Sequence, residues 1–234
     1  MMRQENRFPT TRWTLILSTG SESQRREAVT WLCERYWYPI YMFLRRYGKA
    51  PAVAQDLTQS FLMCFLERRS IERADPERGR FRTYLLGALK HFLADGYDFE
   101  QAKRRGGGIE FVPLSFATGE EKYLQCTDGL TPESLYERQW ALSLIDRVLH
   151  LMRAEQAAAG KASVFDRLRT FLTGEDDYRQ AAAALGMQES AVRVTVHRLR
   201  RRYRDLLTAE VAETVADPAE VQNEIRHLIA VLSD

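Results

Sequence analysis

At 234 residues, with 45% hydrophobic and 11% aromatic side chains, the chain has apolar material for one large domain or two small ones. That composition excludes wholesale disorder. The formal net charge of +2 hides a segregation: Thr208–Asp234 carries six acids and one base, leaving +7 on the preceding 207 residues. A basic body with an acidic tail suits a polyanionic partner plus a segment that repels or mimics it. Cys33, Cys64 and Cys126 are odd in number and form no C-x-x-C pair, so buried reduced thiols are expected. His91, His150, His197 and His227 make no ligand pattern with them, and neither a metal nor any other cofactor is expected. The opening MMRQENRFPTTRW is unlike a secretory signal, and no apolar run approaches the ~18 residues of a membrane span. The sequence predicts a soluble, cytoplasmic protein with no membrane partner.

In chain order, a short helix is predicted over Thr11–Ser18, with Trp13 and Leu17 inward. Arg25–Tyr47 follows as a long helix whose stripe is Ala28, Trp31, Leu32, Tyr36, Ile40, Phe43 and Leu44; Pro39 can kink it and Gly48 ends it. Pro51–Arg69 is the next helix, with Val53, Leu57, Phe61, Cys64 and Phe65 inward. A charged loop, Ser70–Arg80, broken by Pro76 and Gly79, leads to a helix over Phe81–Phe99. Its inward face is Phe81, Tyr84, Leu85, Ala88, Leu89 and Phe92.

Residues 104–130 read as a flexible linker, with an extended piece at Ile109–Phe116. Thr131-Pro132-Glu133 then starts a helix with a capping residue, proline at the first helical position and an early acid. Leu135, Leu142, Ile145, Leu149 and Met152 carry it to Gly160, and Val164–Leu172 makes a shorter helix. No alternating strand pattern and no internal repeat is present, so the fold class is all-α.

Asp177–Leu207 is the most informative stretch. Asp176 or Asp177 caps a first helix carrying Tyr178, Ala181, Ala182 and Leu185 on one face, and Gly186 turns the chain. Val192, Val196, Leu199, Tyr203 and Leu206 then form the apolar stripe of a second helix. Its opposite face holds Ser190, Arg193, His197, Arg200, Arg201 and Arg204. That is the pattern of a helix-turn-helix, whose second helix fits a DNA major groove about 12 Å wide. Ser190, Arg193, Val194 and His197 in its first turns would face base edges, with Gln188 at the N-cap. Arg198, Arg200, Arg201 and Arg204, further along, would touch phosphates.

Taken together, Asp56-Leu57-Thr58-Gln59-Ser60-Phe61, then Asp75-Pro76-Glu77-Arg78-Gly79-Arg80-Phe81-Arg82-Thr83-Tyr84-Leu85, then the helix-turn-helix, resemble bacterial RNA polymerase sigma factors of the sigma-70 family, extracytoplasmic-function type. The resemblance implies a region 2-like domain over residues 1–103, a linker over 104–130, a region 4-like domain over 131–207 and an acidic helical extension over 208–234. It implies the polymerase core as partner, through the clamp helices of its largest subunit and its flap, with Gln55, Asp56 and Gln59 at the clamp contact. It implies promoter DNA as the second partner. The first domain would melt and read the −10 element with Asp75, Arg78, Arg80, Lys90, His91, Lys103, Arg104 and Arg105, and the second would read the −35 element. An anti-sigma factor or a Ser/Thr kinase is the implied regulator.

The chain departs from the family at Val53-Ala54-Gln55-Asp56, where only one acid stands in place of the usual acidic run. Phosphate on Thr58 would add about −1.5 to −2 charges there, making Thr58 a candidate phosphorylation site. For the tail, Ile225, Leu228, Ile229 and Leu232 favour packing on the second domain over folding across the basic helix as a DNA mimic. The alternative function is a helix-turn-helix regulator with a helical ligand- or partner-sensing domain. An enzyme would lean on His91 and Asp95, one helical turn apart, but no third ligand, phosphate loop or nucleophile motif accompanies them, so no catalytic residue is expected.

Overall fold

The computed structural model describes residues 22–67, 80–95, 116–125, 129–172, 174, 177–215 and 217–233. The helix expected over Thr11–Ser18 lies outside them. Among the described residues the chain is all-α, with two short 3-10 turns and no strand. One compact unit takes the described residues up to Ala141 together with those from Val211 onward; the other is Leu142–Glu210.

The first unit is built around α1 (Glu22–Arg46). Pro39 sits inside this helix, where it cannot donate to the carbonyl one turn back. From Tyr38 to Leu44 every side chain is buried, more than a one-sided stripe supplies. Two neighbours account for it. α2 (Pro51–Glu67) packs along α1 with Ala54, Phe61, Leu62 and Phe65 inward. On another side lies α4 (Phe116–Leu124), in a stretch expected to be linker. Phe116 meets the rings of Trp37 and Tyr41 edge-on, at 5.2 and 5.5 Å between centroids. At Gly119 a Cβ would come within 3.3 Å of the Trp37 ring, so glycine is what permits the close approach.

A polar clasp completes the docking of α4. Glu120 accepts from Arg45 Nε and Nη2, each at 2.8 Å, and from the Tyr41 hydroxyl at 2.5 Å. Hydrogen bonds from Arg45, and then from Tyr41, hold the Glu120 carboxyl below the usual carboxylate range despite partial burial. α3 (Phe81–Ala94) contributes Phe81, Leu85, Leu89 and Phe92 to the core, with Phe81 edge-on to Trp31 and Tyr36. Cys33 and Cys64 are buried free thiols, and burial raises Cys33 to a pKa of about 11. Cys126 lies outside the described residues.

α5 (Pro132–Ala158) begins as its sequence predicts: the Ser134 amide donates to Thr131 Oγ1 at 3.1 Å, with Pro132 at the first helical position. Leu135, Tyr136 and Trp140 are buried in the first unit, and Val148 and Met152 in the second. The second unit continues with α6 (Ala162–Leu168), a 3-10 turn at Arg169–Leu172, α7 (Tyr178–Leu185) and α8 (Glu189–Ala212). The last helix, α9 (Val221–Ser233), belongs to the first unit.

The clasp gives α4 a pH dependence of known sign. Because Glu120 titrates lower folded than unfolded, its contribution is present above the ordinary glutamate range and is lost as pH falls through its depressed value. Glu120→Gln is expected to be less stable than wild type at neutral pH, the two converging as pH falls through the depressed Glu120 value. Thermal melts across that range check it.

Candidate nucleic-acid interface

The charged residues of α3 sit in a cluster of ion pairs. Arg80 is the N-cap residue, without a side-chain cap, and Arg82 follows in the first turn. The Arg82 side chain is 2% exposed and that of Glu224, from α9, is 1% exposed. Arg82 Nε donates to Glu137 Oε2 at 2.5 Å, and its Nη1 is paired with Glu224. The guanidinium carbon lies 4.5 Å from the centre of the Trp140 ring. Burial pulls the Arg82 pKa below the ordinary arginine value, and Glu137 opposes that shift. Arg80 Nε meets the other Glu224 oxygen at 2.7 Å.

Further along α3, Lys90 Nζ is 2.7 Å from Glu133 on the first turn of α5, and this contact lowers the Glu133 pKa. His91 and Asp95 are exposed near the end of the helix. Among the described residues no group of three His, Cys, Asp or Glu side chains could hold a metal ion. Asp75, Arg78, Lys103, Arg104 and Arg105 lie outside the described residues.

α2 turns Asp56 to solvent, with Gln55 and Gln59 half-buried beside it, so the three residues expected at a polymerase contact share one outer surface. The helix is rotated from the expected register: Val53 is 42% exposed, while Ala54 and Thr58 face inward. Thr58 is 0% exposed and donates its hydroxyl to the Ala54 carbonyl at 2.7 Å. This corrects the reading of Thr58 as a phosphorylation site. A kinase would have to unfold the helix to reach that oxygen, and a phosphate would bring its charge into the core.

The second unit presents a helix, a turn and a helix. Asp177 Oδ1 accepts from the amides of Arg179 and Gln180 at 2.8 and 3.2 Å, capping α7. Gly186 ends it at φ +62°; the Met187 amide returns to Ala182 O and the Gly186 amide to Ala183 O, a Schellman closure. Ala181 and Ala182 join Val192, Val196 and Leu199 of α8 in one apolar cluster that Phe165, Leu168 and Phe171 complete. With that stripe inward, Ser190, Arg193, Val194, His197, Arg198, Arg201 and Arg204 are exposed, and Gln188 is exposed at the N-cap.

The outward side chains differ in their commitments. His197, Arg198 and Arg201 have no ion pair with any described residue. Arg193 lies 4.3 Å from the centre of the Tyr178 ring and pairs with Glu189 at 2.6 Å, an exposed contact worth under about 1 kcal/mol. Val194, 51% exposed, is an apolar contact available to a thymine methyl. Arg200, expected to touch phosphate, instead donates Nε to the Phe171 carbonyl at 3.0 Å and ties the 3-10 turn to α8.

The tail also departs from expectation. Rather than packing on the second domain, α9 buries Val221, Glu224 and Leu228 within the first unit. Glu137 and Glu224 were not singled out from sequence, Glu133 was read only as a helix-start acid, and Arg82 was quoted only as part of a motif. The available signal was Glu224 itself, an acid between Val221 and Leu228 on the inward face of a helix.

Residues 32–102 match the family model of sigma-70 region 2. The match takes in most of α1, all of α2 and all of α3, and it supports a sigma-70 family sigma factor with a role in transcription initiation. The same comparisons found no match among curated proteins or solved structures.

Thr58→Glu separates a buried position from a regulatory one. It is expected to lower the thermal midpoint sharply, because an unpaired carboxylate in the core costs several kcal/mol, and to give no gain in binding to core polymerase. Thermal melts and a polymerase pull-down check the two halves.

Proposed function

We propose that this protein is an extracytoplasmic-function type sigma factor that acts in the cytoplasm and directs core RNA polymerase to particular promoters. One observation carries the reading: along a single chain, a region 2-like stretch over residues 32–102 precedes a helix-turn-helix whose second helix offers His197, Arg198 and Arg201 to solvent. In this reading the outer surface of α2, with Gln55, Asp56 and Gln59, docks on the clamp helices of the polymerase largest subunit. α3 and the basic residues flanking it engage the melted −10 strand. Bases there are bound by stacking and edge contacts, and phosphates by arginine and lysine.

α8 reads the −35 element. Ser190, Arg193, Val194 and His197 lie in its first three turns, where a recognition helix meets base edges. Arg198, Arg201 and Arg204 lie further along and hold the backbone. No group in this scheme does chemistry; the bond-making belongs to the polymerase, and the protein supplies position and strand separation. A controlling partner, an anti-sigma factor or a kinase, would have to act elsewhere than at Thr58.

The decisive assay adds the purified protein to sigma-free core polymerase on a genomic promoter pool and maps transcript starts. Initiation at a discrete set of promoters sharing two elements supports the reading. Promoter binding by the protein alone, as a dimer on two half-sites, supports a conventional regulator instead.

Two substitutions test the assignment on α8. Arg193→Ala is expected to relax sequence preference, losing ~1–3 kcal/mol of discrimination at one position. Arg201→Ala is expected to weaken binding evenly across sequences and to reduce the salt slope by about 1. Binding to a −35 duplex and a scrambled duplex at several salt concentrations checks both.

A further inference from the structure

Arg80, Arg82 and Lys90 all meet carboxylates supplied by α5 or α9. Glu224 is the central one. It is 1% exposed, lies on the last helix of the described chain, and places one oxygen near each arginine. Its seat is the start of α3, where the Arg80 side chain makes no capping bond and the first turn has no acid of its own. The partial positive charge of a helix start and two guanidinium groups converge there on one buried anion. The rest of α9 is held by the buried Val221 and Leu228, by the half-buried Ile225, Val231 and Leu232, and by His227 at 3.2 Å from Glu137, while Ile229 is exposed. Only two of its apolar side chains are fully covered, on a helix that delivers a charge into a basic site.

We propose that Arg80 and Arg82 form a site for a nucleic-acid phosphate and that the Glu224 carboxylate occupies it, so that α9 and single-stranded DNA compete for the start of α3. The inference rests on the reading of the first unit as the −10-binding domain and adds an occupant to that surface. A carboxylate ligating two guanidinium groups has the charge and the acceptor oxygens of a phosphodiester, and arginine serves both. Glu133 on Lys90 repeats the arrangement further along the helix. With α9 in place the first unit keeps its anion site filled; with α9 displaced, Arg82 keeps Glu137 but two guanidinium groups then share one carboxylate, and the excess positive charge favours an external anion. DNA and tail are thereby coupled, and the coupling is reciprocal.

The test uses the full chain and a fluorescein-labelled, mixed-sequence single-stranded DNA 20-mer. Glu224→Gln retains the shape of the side chain and removes its charge; Leu228→Ala retains every charge and weakens the apolar anchor of α9. Each is expected to bind the probe on the order of ten-fold more tightly than wild type at low salt, with a smaller gain as salt rises. The gain should vanish in the Arg80→Ala background. In the wild-type protein, saturating probe should speed amide hydrogen exchange across Val221–Ser233, a response that a purely structural helix does not give. Unchanged affinity in both variants, or a gain that survives Arg80→Ala, overturns the competition. Should Glu224→Gln fold poorly, Leu228→Ala and the exchange measurement on wild type decide alone. The two failures are distinguishable: if Arg80→Ala costs no affinity for the probe in the Glu224→Gln or Leu228→Ala background, the −10 reading itself is wrong. If it costs affinity while neither variant binds more tightly than wild type and exchange is unmoved, only the competition is wrong.

Discussion

The first unit depends on the burial of one guanidinium. Arg82 follows Phe81, which is locked among Trp31, Tyr36 and Phe65, so the backbone that seats the phenylalanine carries the arginine inward with it. Removing a guanidinium from water costs several kcal/mol unless opposite charge and acceptors replace the lost hydration. Glu137 and Glu224 supply the charge, and the Trp140 face lies alongside. The Tyr136 hydroxyl donates to the Arg82 carbonyl at 3.2 Å, so the backbone is held as well. This single residue therefore draws α3, α5 and α9 to one point. The ion pairs need not make the fold more stable than an apolar core would. Their consequence is specificity of arrangement, since losing either carboxylate strands a charge.

The two units use basic residues in opposite ways. Around α3 the cations are occupied: Arg80, Arg82 and Lys90 each meet a carboxylate from another helix. On α8 the outward-facing cations stand open among the described residues, or are tied only to near neighbours across exposed contacts that salt and water weaken. A surface of the second kind is ready for a polyanion on encounter, whereas one of the first kind must exchange partners. Where arginines of α8 are committed, they serve the fold. Arg200 holds the 3-10 turn through Phe171, and Arg202 pairs with Glu155 of α5 at 2.9 Å.

Several features were hidden from a linear reading for identifiable reasons. FATGEEKYL has a glycine at its centre and few apolar residues, and reads as linker. Gly119 is instead the point of contact that admits the Trp37 ring, and Glu120 is a half-buried partner of Arg45 rather than a freely solvated acid. Thr58 looks like a surface hydroxyl because threonine usually is one. Inside a helix, though, its hydroxyl can be satisfied by the carbonyl one turn back, which lets it face the core as a small side chain. That choice rotates α2 and turns Val53 outward. By contrast Asp177, Gly186, Thr131 and Pro132 behave as their chemistry predicts, because a cap or a left-handed turn is decided within a few residues.

The amino-acid sequence alone determined the all-helical class, the ends of most helices and the inward stripe of α8, since these follow from local hydrogen bonding and from a period of 3.6 residues. It also held the resemblance of the stretch up to residue 103 to sigma-70 region 2, within which residues 32–102 match the family model. Only the tertiary structure decided where α4 and α9 dock and which charges are buried. Those outcomes turn on the meeting of residues more than fifty positions apart, Arg45 with Glu120, Arg82 with Glu137 and Glu224. Side-chain periodicity tells a helix which face to hide; it does not name the surface that will cover it, nor the buried charge that will choose its partner.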